Sequence, residues 1–190
     1  MTLAEKPPSQ TLADGALERL FVQIYDEHFD YIWRLLRRFG ARERDQEDLA
    51  HDVFVAVHRS LERYDQARPL RPWLFGIAFR VVSDYRRKAS FEREVPVDEH
   101  PTASSAPQAI AHLEAVERRA LVQHGLERLP LEQRAVFVMH EMEGVAVVEI
   151  ARALGISDNT CYSRLRLARE RFTKSVRAIA ARQAHHAGSD

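Results

Sequence analysis

One cysteine, seven glycines and no net charge set the first limits on this chain of 190 residues. The single cysteine, Cys161, excludes an intramolecular disulfide and any Cys-x-x-Cys metal or redox pair. It falls on an inward helical stripe, where a free thiol serves as a small apolar side chain. No apolar run approaches the ~20 residues needed to cross a bilayer. The first residues carry no signal-peptide core, so no membrane insertion is expected and the expected location is the cytoplasm. A glycine-rich phosphate loop and a His-Glu-x-x-His helix are both missing. Nine histidines invite a metal site. His51 and His58, however, lie about two helical turns apart, ~10 Å, too far to chelate one ion. No nucleophile–base pattern appears either. The expectation is therefore a protein that is not an enzyme, with no catalytic residue, no metal ligand and no cofactor. The 28 basic and 28 acidic side chains cancel, so any contact with a polyanion has to come from segregated charge rather than bulk attraction.

What is present is helical periodicity. The composition, 45% hydrophobic and 29% charged, is that of an ordinary soluble protein, and the length suits one domain or two small ones. The spacing predicts an all-α fold: two small helical domains joined by a flexible linker, the second carrying a helix-turn-helix. Residues 1–14 read as a mobile tail. Ala16 to Phe39 keeps helical spacing through Leu20, Ile24, Ile32, Leu35 and Leu36, and Gly40 stops it. Asp45 is placed to cap a second helix running to about Tyr64, with Leu49, Val53, Val57 and Leu61 buried. The acids Asp45, Glu47 and Asp48 sit where the helix dipole favours them. Asp65 to Pro72 reads as a loop, and Trp73 to Lys88 as a third helix with Pro72 near its first position. Residues 90–108 change character: Pro96, Pro101, Pro107, several hydroxyl residues, and Glu92, Glu94, Asp98 and Glu99 against Arg93. Such a segment buries too little apolar surface to offset chain entropy and reads as a linker. Gln108 to Leu126 and Pro130 to about Glu143 are again helical. The expected domains are 15–89 and 109–182, with a tail at 183–190.

The stretch from Glu143 to Phe172 is the most telling. Ile150, Ala151 and Leu154 share one face of a helix, Gly155 stands where a helix needs a left-handed residue to stop, and Ser157 can cap the next helix. Cys161, Leu165, Ala168 and Phe172 then make one inward stripe, leaving Tyr162, Ser163, Arg164, Arg166 and Arg169 largely on other faces. From Ser157 to Arg182 seven bases stand against two acids. This is the pattern of a helix-turn-helix whose second helix offers donors to phosphates and base edges. A helical hairpin with a solvated basic face is the plainer alternative.

Both halves resemble one family. Leu129-Pro130-Leu131-Glu132-Gln133-Arg134, with Ser163-Arg164-Leu165 and Ala168-Arg169-Glu170-Arg171, resembles region 4 of bacterial sigma factors. Asp48-Leu49-Ala50-His51-Asp52-Val53-Phe54, followed by Arg71-Pro72-Trp73-Leu74-Phe75-Gly76-Ile77-Ala78, resembles region 2. In this order, over residues 17 to 182, the chain looks like an extracytoplasmic-function (ECF) sigma factor of the sigma-70 family. The resemblance implies partners: core RNA polymerase, promoter DNA and an anti-sigma factor. Asp48, Leu49, Asp52, Val53 and Phe54 match the polymerase-binding helix. Leu49 and Val53 also fit this protein's own core, whereas Phe54 falls off the buried stripe. The loop Tyr64 to Arg71 matches the segment that captures a base of the −10 element, which implies Tyr64, Asp65, Arg68, Arg71, Trp73, Arg80 and Arg87 as contacts there. Trp73 fits a core position as well as a base stack. Arg80 stands where the family often has asparagine. Region 4 would read the −35 element with Asn159, Thr160, Tyr162, Ser163, Arg164, Arg166 and Arg169, although Tyr162 and Leu167 stand where basic residues are frequent. Two competing readings remain. A two-component output protein needs a receiver sheet, and nothing here reads as strand. A sigma-like protein that binds an anti-sigma factor without promoter-specific activity needs a weakly basic recognition helix, unlike this one.

Overall fold

The structure, a computed structural model, describes residues 8–92 and 110–187. Among the described residues it holds seven α-helices and no strand. In chain order these are α1 (Pro8–Arg38), α2 (Gln46–Ser60), α3 (Leu70–Glu92), α4 (Ile110–Glu127), α5 (Leu131–Phe137), α6 (Val147–Leu154) and α7 (Asp158–Ala187). None of the described helices is long and apolar enough to cross a membrane. Most of the expected linker lies outside the described residues. Helix α1 starts at Pro8, inside the expected tail, α3 begins at Leu70 and takes up part of the expected loop, and α7 runs to Ala187.

Helices α1, α2 and α3 form one packed unit and α4 to α7 another. In the first, the fully buried Ile32, Leu35 and Leu36 of α1 and Phe39 just after it meet Val53 and Val57 of α2 and Leu74, Phe75 and Ala78 of α3. The stripe of α2 is wider than its periodicity suggests. Phe54 is 4% exposed, because Tyr25 (ring centroids 4.7 Å apart) and Phe29 (6.0 Å, stacked) on α1 close over it. The start of α2 also differs from expectation. Asp45 occupies the cap position without capping the helix through its side chain. Its carboxylate instead accepts a hydrogen bond from the Tyr85 hydroxyl at 2.5 Å, tying α2 to α3.

The second unit is organised on α7. Cys161, Leu165 and Ala168 are buried as their spacing requires, and the Phe172 ring packs at a tilt against Phe137 of α5, centroids 4.6 Å apart. Helix α6 ends at Gly155, whose φ of 66° is left-handed. The Ile156 N–H then bonds back to the Ala151 carbonyl at 2.9 Å, the closure that lets a second helix start at once. Ser157 caps that helix, its Oγ accepting the Thr160 N–H at 3.2 Å. The expected single helix from Pro130 to Glu143 is instead an α-helix that widens into a π-turn over Val138–Met142, closed by the Glu143 N–H on the Val138 carbonyl at 3.1 Å. Inserting one residue into the turn re-aims the side chains beyond it: Glu141 meets Arg169 of α7 at 2.6 Å, and Glu143 pairs with Arg38 at the end of α1.

Arg134 sits where the two units join, 1% exposed. Its Nη2 donates to the carbonyls of Glu127 (2.9 Å) and Leu129 (3.2 Å) at the end of α4. Its Nη1 makes a long contact, 3.5 Å, with the carbonyl of Arg38 at the end of α1. The cation thus faces the negative ends of two helix dipoles. Burial pushes its pKa down to about 10, helped by the charge of Arg86 and opposed by that of Glu127, so it stays protonated at neutral pH. The turn at Gly40 lies directly on the guanidinium, and a Cβ there would come within 2.7 Å of Nη1.

Two outcomes follow. Arg134→Ala strips buried helix-end carbonyls of their donor and should cost about 2–4 kcal/mol, read from the urea midpoint at unchanged slope. A loss below about 1 kcal/mol would show that water replaces the guanidinium freely. Burial, with Asp158 adding to it and Arg164 opposing, pushes the Cys161 thiol up. In the native chain a thiol reagent at pH 8 should therefore react at least about a hundredfold more slowly than in denaturant. Equal rates would mean that α7 does not seat on its stripe.

Candidate nucleic-acid interface

Three surfaces gather the residues singled out in the sequence. The first is the outer face of α7. Asn159, Thr160, Tyr162, Ser163, Arg166 and Arg169 are exposed and Arg164 is half-buried, while Tyr162 shows 57% of its surface. These side chains are not equally available. The Thr160 hydroxyl lies 2.8 Å from Ser157 Oγ, Arg166 pairs with Glu170 at 2.7 Å along the same helix, and Arg169 is held by Glu141. Exposed pairs of this kind contribute little and exchange readily for a phosphate.

The second surface is the connection between α2 and α3. After a 3-10 turn at Leu61–Arg63 the chain is non-helical from Tyr64 to Pro69. Asp65 shapes it: its Oδ1 accepts the Ala67 N–H at 3.1 Å, its carbonyl the Arg68 N–H at 3.0 Å, and its Oδ2 lies 3.0 Å from Arg68 Nε. The Tyr64 hydroxyl donates to the Arg68 carbonyl at 2.6 Å. Burial, and then Asp65, pushes the Tyr64 hydroxyl pKa up, so it remains a donor. The loop is thus fixed by its own polar groups, and Asp65 is occupied in holding it. Tyr64 and Trp73 lie ring against ring at 4.5 Å. Trp73 is half-buried rather than fully in the core, and these two rings with Arg68 and Arg80 wall a cleft of about 200 Å³. Arg63 and Arg152, which the sequence gave no reason to choose, line it too. Arg71 lies on the first turn of α3, its guanidinium 5.4 Å above the Tyr31 ring. Arg87 stands apart on α3, 3.0 Å from Asp84. The structure therefore gathers Tyr64, Asp65, Arg68, Trp73 and Arg80 and leaves Arg71 and Arg87 outside.

The third surface is α2. Asp48 and Asp52 are exposed one turn apart, whereas Leu49, Val53 and Phe54 are buried. The apolar character there comes from elsewhere. Phe21, Tyr25, Val55 and an edge of Phe54, with His51 and His58, line a cleft of about 350 Å³, beside which Val22 (52%) and Tyr25 (41%) are exposed. Val55 is half-buried, and neither it nor Tyr25, which has the spacing of a core position, stood out in the sequence. Among the described residues no group of three or more His, Cys, Asp or Glu side chains could hold a metal ion.

Known proteins match this arrangement. Residues 24–92 match the family Sigma-70 region 2 and residues 119–172 the family Sigma-70, region 4. The ECF RNA polymerase sigma factor SigM of Mycobacterium tuberculosis is 32% identical over 81% of this chain and 76% of its own length. The solved structure of CnrH in complex with the cytosolic domain of CnrY superposes with a TM-score of 0.59 at 27% identity, over 88% of this chain and 96% of that one. The fold also recurs, with a TM-score of 0.65 at 17% identity over 83% of this chain and 96% of that one, in the sigma factor RpoE from Bartonella quintana, solved with the anti-sigma factor NepR. A region 2 unit followed by a region 4 helix-turn-helix, in a chain this similar to SigM, makes this protein a member of the ECF RNA polymerase sigma factors.

Proposed function

We propose that this sigma factor reads a promoter at two points while seated on core RNA polymerase. In this reading residues 15–89 form the region 2 domain, 90–108 a flexible linker and 109–182 the region 4 domain. The outer face of α7 enters the major groove of the −35 element, where Arg164 and Arg166 suit guanine O6 and N7 and Arg169 suits a phosphate. The cleft between Tyr64, Arg68, Trp73 and Arg80 receives an unstacked base of the −10 element, the aromatic pair offering the stacking surface and the arginines the charge. Asp48 and Asp52 with the apolar cleft beside them face the polymerase, and Phe54 acts from beneath as the floor of that cleft. An anti-sigma factor is the second expected partner, as RpoE from Bartonella quintana has NepR. The chain is read as a transcription factor rather than an enzyme, working in the cytoplasm where polymerase is.

One observation carries the reading. The helix-turn-helix is closed internally by Gly155, Ser157 and Cys161, and beyond that closure the outer face of α7 presents Arg164, Arg166 and Arg169. A sigma-like protein that only binds an anti-sigma factor would have no use for that face.

Arg164→Ala should lower transcription from a matched promoter roughly tenfold or more, within the ~1–3 kcal/mol expected of a base contact, without loss of co-purification with core polymerase. Equal transcription from mutant and wild type would remove Arg164 from the interface. On α2 the two kinds of residue should separate. Asp52→Lys should weaken capture by core polymerase while shifting unfolding by no more than about 0.5 kcal/mol, whereas Phe54→Ala should lose about 3–5 kcal/mol of stability. Undiminished core capture by Asp52→Lys would place the polymerase elsewhere.

A further inference from the structure

The outermost row of α7 is not purely basic. Cys161, Leu165, Ala168 and Phe172 face inward. The same spacing shifted back by two residues, about 200° around a helix, falls on Asn159, Ser163, Arg166 and Glu170, all exposed. An acid therefore stands in the row that faces away from the core. A second acid, Glu141, reaches the side of the helix from the π-turn. Both are paired, and in different ways. Glu170 takes Arg166 by Nη1 at 2.7 Å. Glu141 Oε1 is gripped by Arg169 through Nε at 2.7 Å and Nη2 at 2.6 Å. The Nε–Nη2 edge of an arginine matches guanine O6 and N7 or two oxygens of a phosphate. On Arg169 that edge is closed by Glu141; on Arg166 Glu170 stays clear of it.

We propose that Glu141 and Glu170 are specificity-determining residues of the −35 surface: Glu170 fixes the Arg166 fork for a guanine edge, and Glu141 withholds Arg169 from the DNA backbone until a phosphate displaces it. The inference rests on the assignment of α7 to the −35 element and adds what makes that reading selective. Helix stability does not account for Glu170. Arg before Glu at i, i+4 is the weaker order for such a pair, and both partners are more than half exposed, where an ion pair contributes little. In front of a polyanion the same acids matter. An unrestrained arginine binds whichever phosphate it meets, and phosphate contacts raise affinity without regard to sequence. Holding one guanidinium and orienting the other lowers that background. An arginine already held in one geometry also loses less freedom when it meets its base. The device suits a chain whose 28 basic side chains are matched by 28 acidic ones, so that contact with DNA is directed rather than bulk attraction.

The test uses the reconstituted holoenzyme and two fluorescent duplexes that share a −10 block. One carries the −35 block selected with the holoenzyme, and in the other that block is scrambled. Affinities are measured over about 50 to 200 mM salt. Glu132→Gln, at an exposed acid in the first turn of α5, controls for the lost charge. Glu170→Gln should lower the ratio of matched to scrambled affinity about three- to tenfold. Glu141→Gln should raise both affinities about threefold at low salt and leave their ratio unchanged. Its salt dependence should steepen by one phosphate contact, a slope change of ~0.9. Each effect should vanish once its arginine is gone: Glu170→Gln should add nothing to Arg166→Ala, nor Glu141→Gln to Arg169→Ala, a dependence that a merely structural role would not show. If Glu132→Gln matches either variant, if the effects persist without the arginines, or if either Glu variant keeps the wild-type ratio and slope, the inference is overturned and the −35 assignment stands. No preference for the matched duplex in the wild type, or a preference that Arg164→Ala/Arg166→Ala keeps intact, overturns the −35 assignment and the inference with it.

Discussion

A single buried cation joins the two halves of this chain. Arg134 is nearly inaccessible, and its charge is balanced mainly by the carbonyl ends of two helices, α4 in its own unit and α1 in the other. A guanidinium suits the place because its donors diverge in one plane and can serve separate helix ends at once. Glu127 supplies the opposing charge. The Gly40 turn can rest on the guanidinium because it carries no side chain. From this anchor the rest of the junction takes its position: the π-turn delivers Glu143 to Arg38, and α6 comes to lie against α3.

The same π-turn serves both sides of the molecule. Glu141 holds Arg169 on the face of α7 proposed for DNA, and Glu143, two residues on, holds the end of α1. A regular α-helix through this segment would aim one of these carboxylates differently, since a π-turn shifts the register by one residue. The basic helix and the junction between the two units therefore share a short stretch of backbone.

Much of this was legible in the sequence, and the exceptions share a cause. The helix-turn-helix was readable because its signals are local: the stripe Cys161, Leu165 and Ala168, a left-handed Gly155, a capping Ser157. The features that were misjudged depend on residues far away in the chain. Asp45 looked like a helix cap until Tyr85, forty positions on, took its carboxylate. Phe54 looked exposed because the periodicity of α2 shows one stripe, whereas Tyr25 and Phe29 cover it from α1 as well. Trp73 was open between core and site, and its half-buried place against Tyr64 lies between the two. Arg134 formed part of a family motif, yet no local pattern announces a buried arginine. Nothing around Gly76 foretells that the backbone of Ala153 will rest on it. The π-turn has no sequence signal at all in this chain.

The central claim is that one neutral chain becomes a two-point promoter reader only when polymerase holds it. The most direct measurement selects duplexes from a randomised pool, once with the reconstituted holoenzyme and once with the chain alone, and sequences what is retained. The account predicts two enriched blocks at a fixed separation with the holoenzyme and no such pair with the chain alone. A single block with the holoenzyme, or the same two blocks without polymerase, would contradict it.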